Sequence, residues 1–192
     1  MISMGMGVGL GMISGFIGGW LDRVLAMVMD ALYSFPGIIL AIAIAAMLGP
    51  GNVLNIALAI AVTYIPTYFR MVRGQVLSLK NTQMVEAAIA IGAPVHVILK
   101  DYVLPHVVPV IVVVFSMNIA DAILTEAALS YLGFGVTPPT PDWGFDLRAG
   151  QPYIDIAWWI TTFPGFMITV TVVGFALIAE GLSELLSPRI RG

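Results

Sequence analysis

Four stretches of this chain contain no Asp, Glu, Lys or Arg: residues 1–21, 31–69, 102–120 and 156–179. A helix that crosses a bilayer needs roughly 20 consecutive apolar residues. The first, third and fourth stretches each fit one crossing. The second is about twice that length and carries Gly49-Pro50-Gly51-Asn52 near its middle, a turn signal that helices do not readily cross. It reads as two crossings joined by a tight hairpin. The expected fold is an all-α integral membrane protein, a single domain over residues 1–192 with about five transmembrane helices. Composition agrees: 59% of the residues are hydrophobic and 10% are charged, where a soluble domain carries about a quarter charged. So few charges cannot cover a water-soluble globule, which excludes a cytosolic enzyme.

Orientation follows from the basic residues. Arg23 falls between the first two crossings, Arg70, Arg73, Lys80 and Lys100 between the third and fourth, and Arg189 and Arg191 after the last. With alternating crossings these all lie on one side. Of the eight basic residues only Arg148 lies on the other, beside Asp142, Asp146 and Asp155. The C-terminus is therefore expected in the cytoplasm and residue 1 outside. The net charge of −3, with scattered cations, offers no footprint for nucleic acid. Without cysteines, and with only His96 and His106, the chain suggests neither a metal site nor a cofactor. Gly7, Gly11 and Gly15 recur every four residues, the spacing that lets membrane helices approach closely; the alternative is ordinary glycine richness.

Two segments outside the crossings carry structure of their own. In the cytoplasmic one, about 71–104, Thr82 is placed to cap a short helix with Glu86 in its first turn, and Gly92-Ala93-Pro94 stops that helix. Pro94 then suits the start of a second helix over 95–103, ending at Leu104-Pro105. The resulting helix-turn-helix elbow fits either a groove on a soluble partner or the membrane surface. The external segment, about 127–155, interleaves glycines and prolines with Tyr131, Phe134, Trp143, Phe145 and Tyr153. That composition gives an ordered, irregular loop, serving either as an aromatic interface anchor or as a surface that meets a delivered solute.

Glu86-Ala87-Ala88, then Gly92, then Leu104-Pro105, resembles the cytoplasmic EAA signature of bacterial ABC-importer permeases. Further segments resemble the dipeptide/oligopeptide/nickel branch: Gly18-Gly19-Trp20-Leu21-Asp22, Ser34-Phe35-Pro36-Gly37, Arg70-Met71-Val72-Arg73-Gly74-Gln75, residues 126–133 and residues 138–144. The resemblance implies a multi-pass subunit of a bacterial or archaeal cell (inner) membrane. It forms half of a pathway for peptides, nickel or related small solutes. Implied partners are a second, homologous permease, cytoplasmic ATP-binding subunits and an external substrate-binding protein. Glu86, Ala87, Ala88, Gly92, Leu104 and Pro105 would couple to the ATPases, with Ala87 and Ala88 kept small so that the helix enters its groove. ATP hydrolysis is expected on the partners, and the sequence has no phosphate-loop motif. Residue 1 falls inside what would be the family's second membrane helix, so the resemblance also implies an N-terminally truncated chain.

Asn118, Asp121 and Glu126 lie in or near the outer half of the fourth crossing. Polar groups there often line a water-filled path, and Asn118 and Asp121, three apart, share a helical face. The competing reading puts them at an exposed helix end or against a partner permease. A different class of function, an ATP-independent secondary transporter or channel, needs ion-coupling residues in mid-span, and the uncharged second, third and fifth crossings offer few. An intramembrane enzyme needs a nucleophile-and-base or metal motif, and none occurs.

Overall fold

The computed structural model describes residues 1–186, so Arg189 and Arg191, and the placement of the C-terminus, lie outside the described residues. The elements in chain order are α1 (Ile2–Ile17), α2 (Gly19–Tyr33), α3 (Gly37–Leu48), α4 (Val53–Lys80), α5 (Gln83–Ala90), α6 (Val95–Val97), a π-helical segment (Ile98–Val103), α7 (Leu104–Leu132), α8 (Trp143–Gly150), a 3-10 turn (Gln151–Tyr153) and α9 (Trp159–Leu186). Among the described residues there is no strand, only an isolated bridge between Gly51 and Val136.

Among the described residues, three helices are long and apolar enough to cross a membrane: α4, the continuous helix Val95–Leu132, and α9. α2 and α3 meet at 92° and together have the length and apolarity of a broken span or a re-entrant loop. Pro36 causes the break, because the residue before a proline is driven out of the helical region and Pro36 itself is extended (ψ 125°) at the N-cap of α3. α1 is apolar but has 16 residues, about 24 Å of helix, less than the ~30 Å hydrocarbon core. The expected crossings thus resolve into three full helices, one broken pair and one short apolar helix. Boundaries also shift: Arg70–Lys80 belongs to α4 rather than to the elbow, and α7 runs past residue 127 to Leu132.

α1 lies parallel along α4, and the glycine stripe makes this possible. A Cβ at Gly7 would sit 2.6 Å from Tyr68 Cβ, one at Gly11 2.7 Å from the Phe69 carbonyl oxygen, and one at Gly15 3.0 Å from Val76 Cβ. The periodicity is a packing face. Polar groups fasten the C-terminal end of the same seam. Asp22 accepts from Arg73 Nε at 2.5 Å and Nη2 at 2.7 Å, and from the buried Ser14 hydroxyl at 2.5 Å. Lys80 Nζ donates to the Phe16 carbonyl at 2.5 Å, satisfying one of the carbonyls a helix leaves open at its end. Gly18 and Gly19, at φ 71° and 68°, let the chain reverse from α1 into α2.

The opposite end of the bundle is tied together by backbone. The Gly51 N–H donates to the Gly135 carbonyl at 2.9 Å, and Asn55 Nδ2 donates to the carbonyls of Leu48 and Gly49. The α3–α4 hairpin and the loop after α7 therefore share one end of the bundle, while α5 shares the other with the C-terminal ends of α1 and α4.

Candidate functional site

The elbow is built from two faces of α5. Val85 and Ala88, three apart, are buried (0% and 2% exposed) against Val72, Val76, Ile98, Val103 and Val107. Glu86 and Ala87 face outward, and Ile89, Ile91 and Val95 are 50%, 79% and 47% exposed. The result is an apolar lip carrying one carboxylate, held on a rigid base. The turn after α5 is a Schellman motif: the Ala93 N–H donates to the Ala88 carbonyl at 3.0 Å and the Gly92 N–H to the Ile89 carbonyl at 2.9 Å. Gly92 sits at φ 78°, a conformation that only glycine adopts without strain.

Three expectations change here. Thr82 occupies the N-cap position, but its hydroxyl donates to the Leu79 carbonyl at 2.6 Å instead of capping α5; it ends α4. Pro94 is the N-cap of α6 rather than its first helical residue. The second elbow helix does not end at Leu104-Pro105. It widens to π-helix over Ile98–Val103 and runs directly into α7, with Pro105 in the first turn of α7. Pro105 has no N–H and its ring crowds the preceding turn; the wider turn accommodates both, so Leu104 and Pro105 mark a change of helical pitch. Ala88 is small for a different reason than Ala87: it packs inward, on the protein's own core.

Asn118, Asp121 and Glu126 are not brought to one place. Asp121 lines a cavity of about 600 Å³ between the α2–α3 break, the middle of α4 and the outer half of α7. Its Oδ2 accepts from the Tyr64 hydroxyl at 2.6 Å. Asn118 lines a second cavity, about 320 Å³, which also meets Tyr64, Tyr68 and the start of α1; its Nδ2 is buried without a partner among the described residues. Tyr64 lines both cavities. Glu126 lines neither; its Oε1 accepts from Ser130 Oγ at 3.0 Å, beneath the external loop. No local pattern marks Tyr64, which meets Asp121 across 57 positions of chain.

The loop after α7 is ordered, and glycine is the reason. A Cβ at Gly135 would fall 1.6 Å from Ser130 Oγ, and one at Gly144 2.5 Å from the Ala127 carbonyl oxygen. Asp142 caps α8 by accepting from the Gly144 N–H at 2.8 Å, and α8 packs on α7 and α9.

Residues 7–192 match the family described as binding-protein-dependent transport system inner membrane component. The chain belongs to that family. It is 40% identical over 191 residues to the glutathione transport system permease protein GsiD of Pectobacterium atrosepticum, covering 100% of this chain and 63% of the relative. It is 43% identical over 174 residues to the proteins of the same name from Shigella flexneri and Escherichia coli O157:H7, covering 91% of this chain and 57% of each relative. The chain thus spans about three-fifths of the length of these curated relatives. The elbow and the larger cavity lie within the matched residues.

Proposed function

We propose that this chain is the transmembrane subunit of an ATP-driven, binding-protein-dependent importer, forming half of a pathway for short peptides or related small solutes. The relatives' name points to glutathione, a tripeptide, as the size class of the solute. The observation that carries the reading is the two-faced elbow: Val85 and Ala88 clamp α5 onto the ends of α4 and α7, while Glu86, Ala87, Ile89 and Ile91 are turned outward. An apolar lip on the charged, cytoplasmic side of a membrane protein calls for a protein cover. A groove on an ATP-binding subunit supplies it, with hydrolysis on that partner and none on this chain. Movement of α5 passes to α7 through Val85 and Ala88, which pack on Ile98, Val103 and Val107, because the π-helical segment joins α6 to α7 without a break. A second permease completes the pathway, an external binding protein meets the ordered outer loop, and the C-terminus lies in the cytoplasm. Dependence on a binding protein, a property of the family, favours this over the ATP-independent carrier or channel.

The test is affinity purification of the chain from its native membranes in mild detergent, repeated with Glu86→Lys. Stoichiometric ATPase subunits with the wild type, reduced at least about tenfold with the variant (roughly 1.4 kcal/mol), would support the assignment. An intact chain that never recovers an ATPase would sink it.

A further inference from the structure

We infer that the cavity of about 600 Å³ between the α2–α3 break, α4 and α7 is a binding point for the ammonium end of the transported solute, with Asp121 as its counter-charge. The inference rests on the importer reading and adds to it a chemical class and a residue.

Four observations combine. The size lies within the usual range for small-molecule sites. One wall is broken backbone, where Ser34-Phe35-Pro36 interrupts the span. Irregular backbone at membrane depth is tolerated where it is buried in protein or lines a watered cavity, and Phe35 and Gly37 line this one. Next, Asp121 carries an uncompensated charge: among the described residues no Lys, Arg or His lies within ion-pair distance of it. The cation that touches a lining residue, Arg70, stacks on Tyr33 at 4.7 Å, pairs with Asp30 at 3.5 Å, and is not itself a lining residue.

The fourth observation concerns the lining hydroxyls. Three of the five, those of Thr63, Tyr64 and Thr125, have spent their protons. Thr63 donates to the Ile60 carbonyl at 2.7 Å, Thr125 to the Asp121 carbonyl at 2.9 Å, and Tyr64 to Asp121 Oδ2 at 2.6 Å. A hydroxyl has one proton and two lone pairs, so these groups present acceptors to a guest. Acceptors around a carboxylate suit a cation with several N–H donors, which a free amino terminus has. A solute carboxylate would find no unspent donor on these three groups and a like charge beside them.

The test uses the assembled transporter. The chain has no cysteine, so Thr67→Cys on the lining of this cavity is a unique reporter in this subunit, with Thr63→Cys as a second should the first fail to assemble. Each is reacted with a trimethylammonium-bearing and a sulfonate-bearing thiosulfonate. The cationic reagent is expected to react about tenfold faster, the effect of one carboxylate a few ångströms away in a half-watered site. Asp121→Asn should remove the preference and Asp121→Glu should keep it. Alanyl-alanine should slow the labelling, and N-acetyl-alanyl-alanine should not. Equal rates with both reagents, or a preference that survives Asp121→Asn, would overturn the inference. So would a reporter that neither reagent reaches, since that places a partner permease over the cavity. ATPase subunits recovered in the same preparation report on the importer reading separately.

Discussion

The two ends of α7 solve opposite problems with different residues. At its outer end the chain folds back on itself: Gly135 and Gly144 press against Ser130 and Ala127, and the hairpin at Gly51 hydrogen-bonds to Gly135. Glycine removes the side chains, and backbone meets backbone. At its inner end the elbow is anchored by small aliphatic side chains and offers its other face to the outside. The outer end is closed by local contacts. The elbow end leaves one face of α5 open. A sequence rich in glycine and proline can mean close approach, while a short Ala-rich helix can mean exposure.

Substitutions at the two ends should separate these modes of support. The largest effect is expected from Gly135→Val, whose branched side chain would overlap Ser130; overpacking of this kind costs about 3 kcal/mol or more. Detergent-solubilised protein should melt far lower or fail to accumulate, and a near-normal melting temperature would break the close-approach account. Next comes Ala88→Leu, which forces methylenes into the core beneath α5 and should cost about 1–3 kcal/mol in thermal unfolding. Gly92→Ala places a Cβ at φ 78° with open space around it. Only backbone strain of about 1 kcal/mol is expected, and a larger loss would mean that the turn has a hidden contact. The smallest change in stability is expected from Ala87→Leu, within about 0.5 kcal/mol as for other exposed positions. Its effect should instead appear as lost ATPase recovery. If Ala87→Leu and Ala88→Leu melt alike, the two-faced description of α5 is wrong.

Much of the membrane architecture was legible because hydrophobic periodicity and charge gaps are local properties. The glycine stripe at Gly7, Gly11 and Gly15 predicted a packing face and the structure supplies its partner, α4. The Gly49–Asn52 turn signal falls where α3 ends and α4 begins. Local signals failed where two neighbouring choices compete. Thr82 fits an N-cap, yet its hydroxyl finds the Leu79 carbonyl first. Pro105 reads as a stop, yet a π-helical turn absorbs it. The Ser34-Phe35-Pro36 break lay inside an uncharged stretch, where charge gaps are blind to it.

By itself the sequence determined the solvent, the helical class and the position of the elbow, because each depends on residues close together in the chain and on the cost of putting charge into hydrocarbon. Tertiary structure alone decided which of two adjacent alanines faces outward, that Asn118 and Asp121 open onto different cavities while Glu126 opens onto neither, and that Tyr64 caps Asp121. Those outcomes depend on how α4 and α7 are rotated against each other. Such rotation is set by packing between segments far apart in sequence, and no local pattern encodes it.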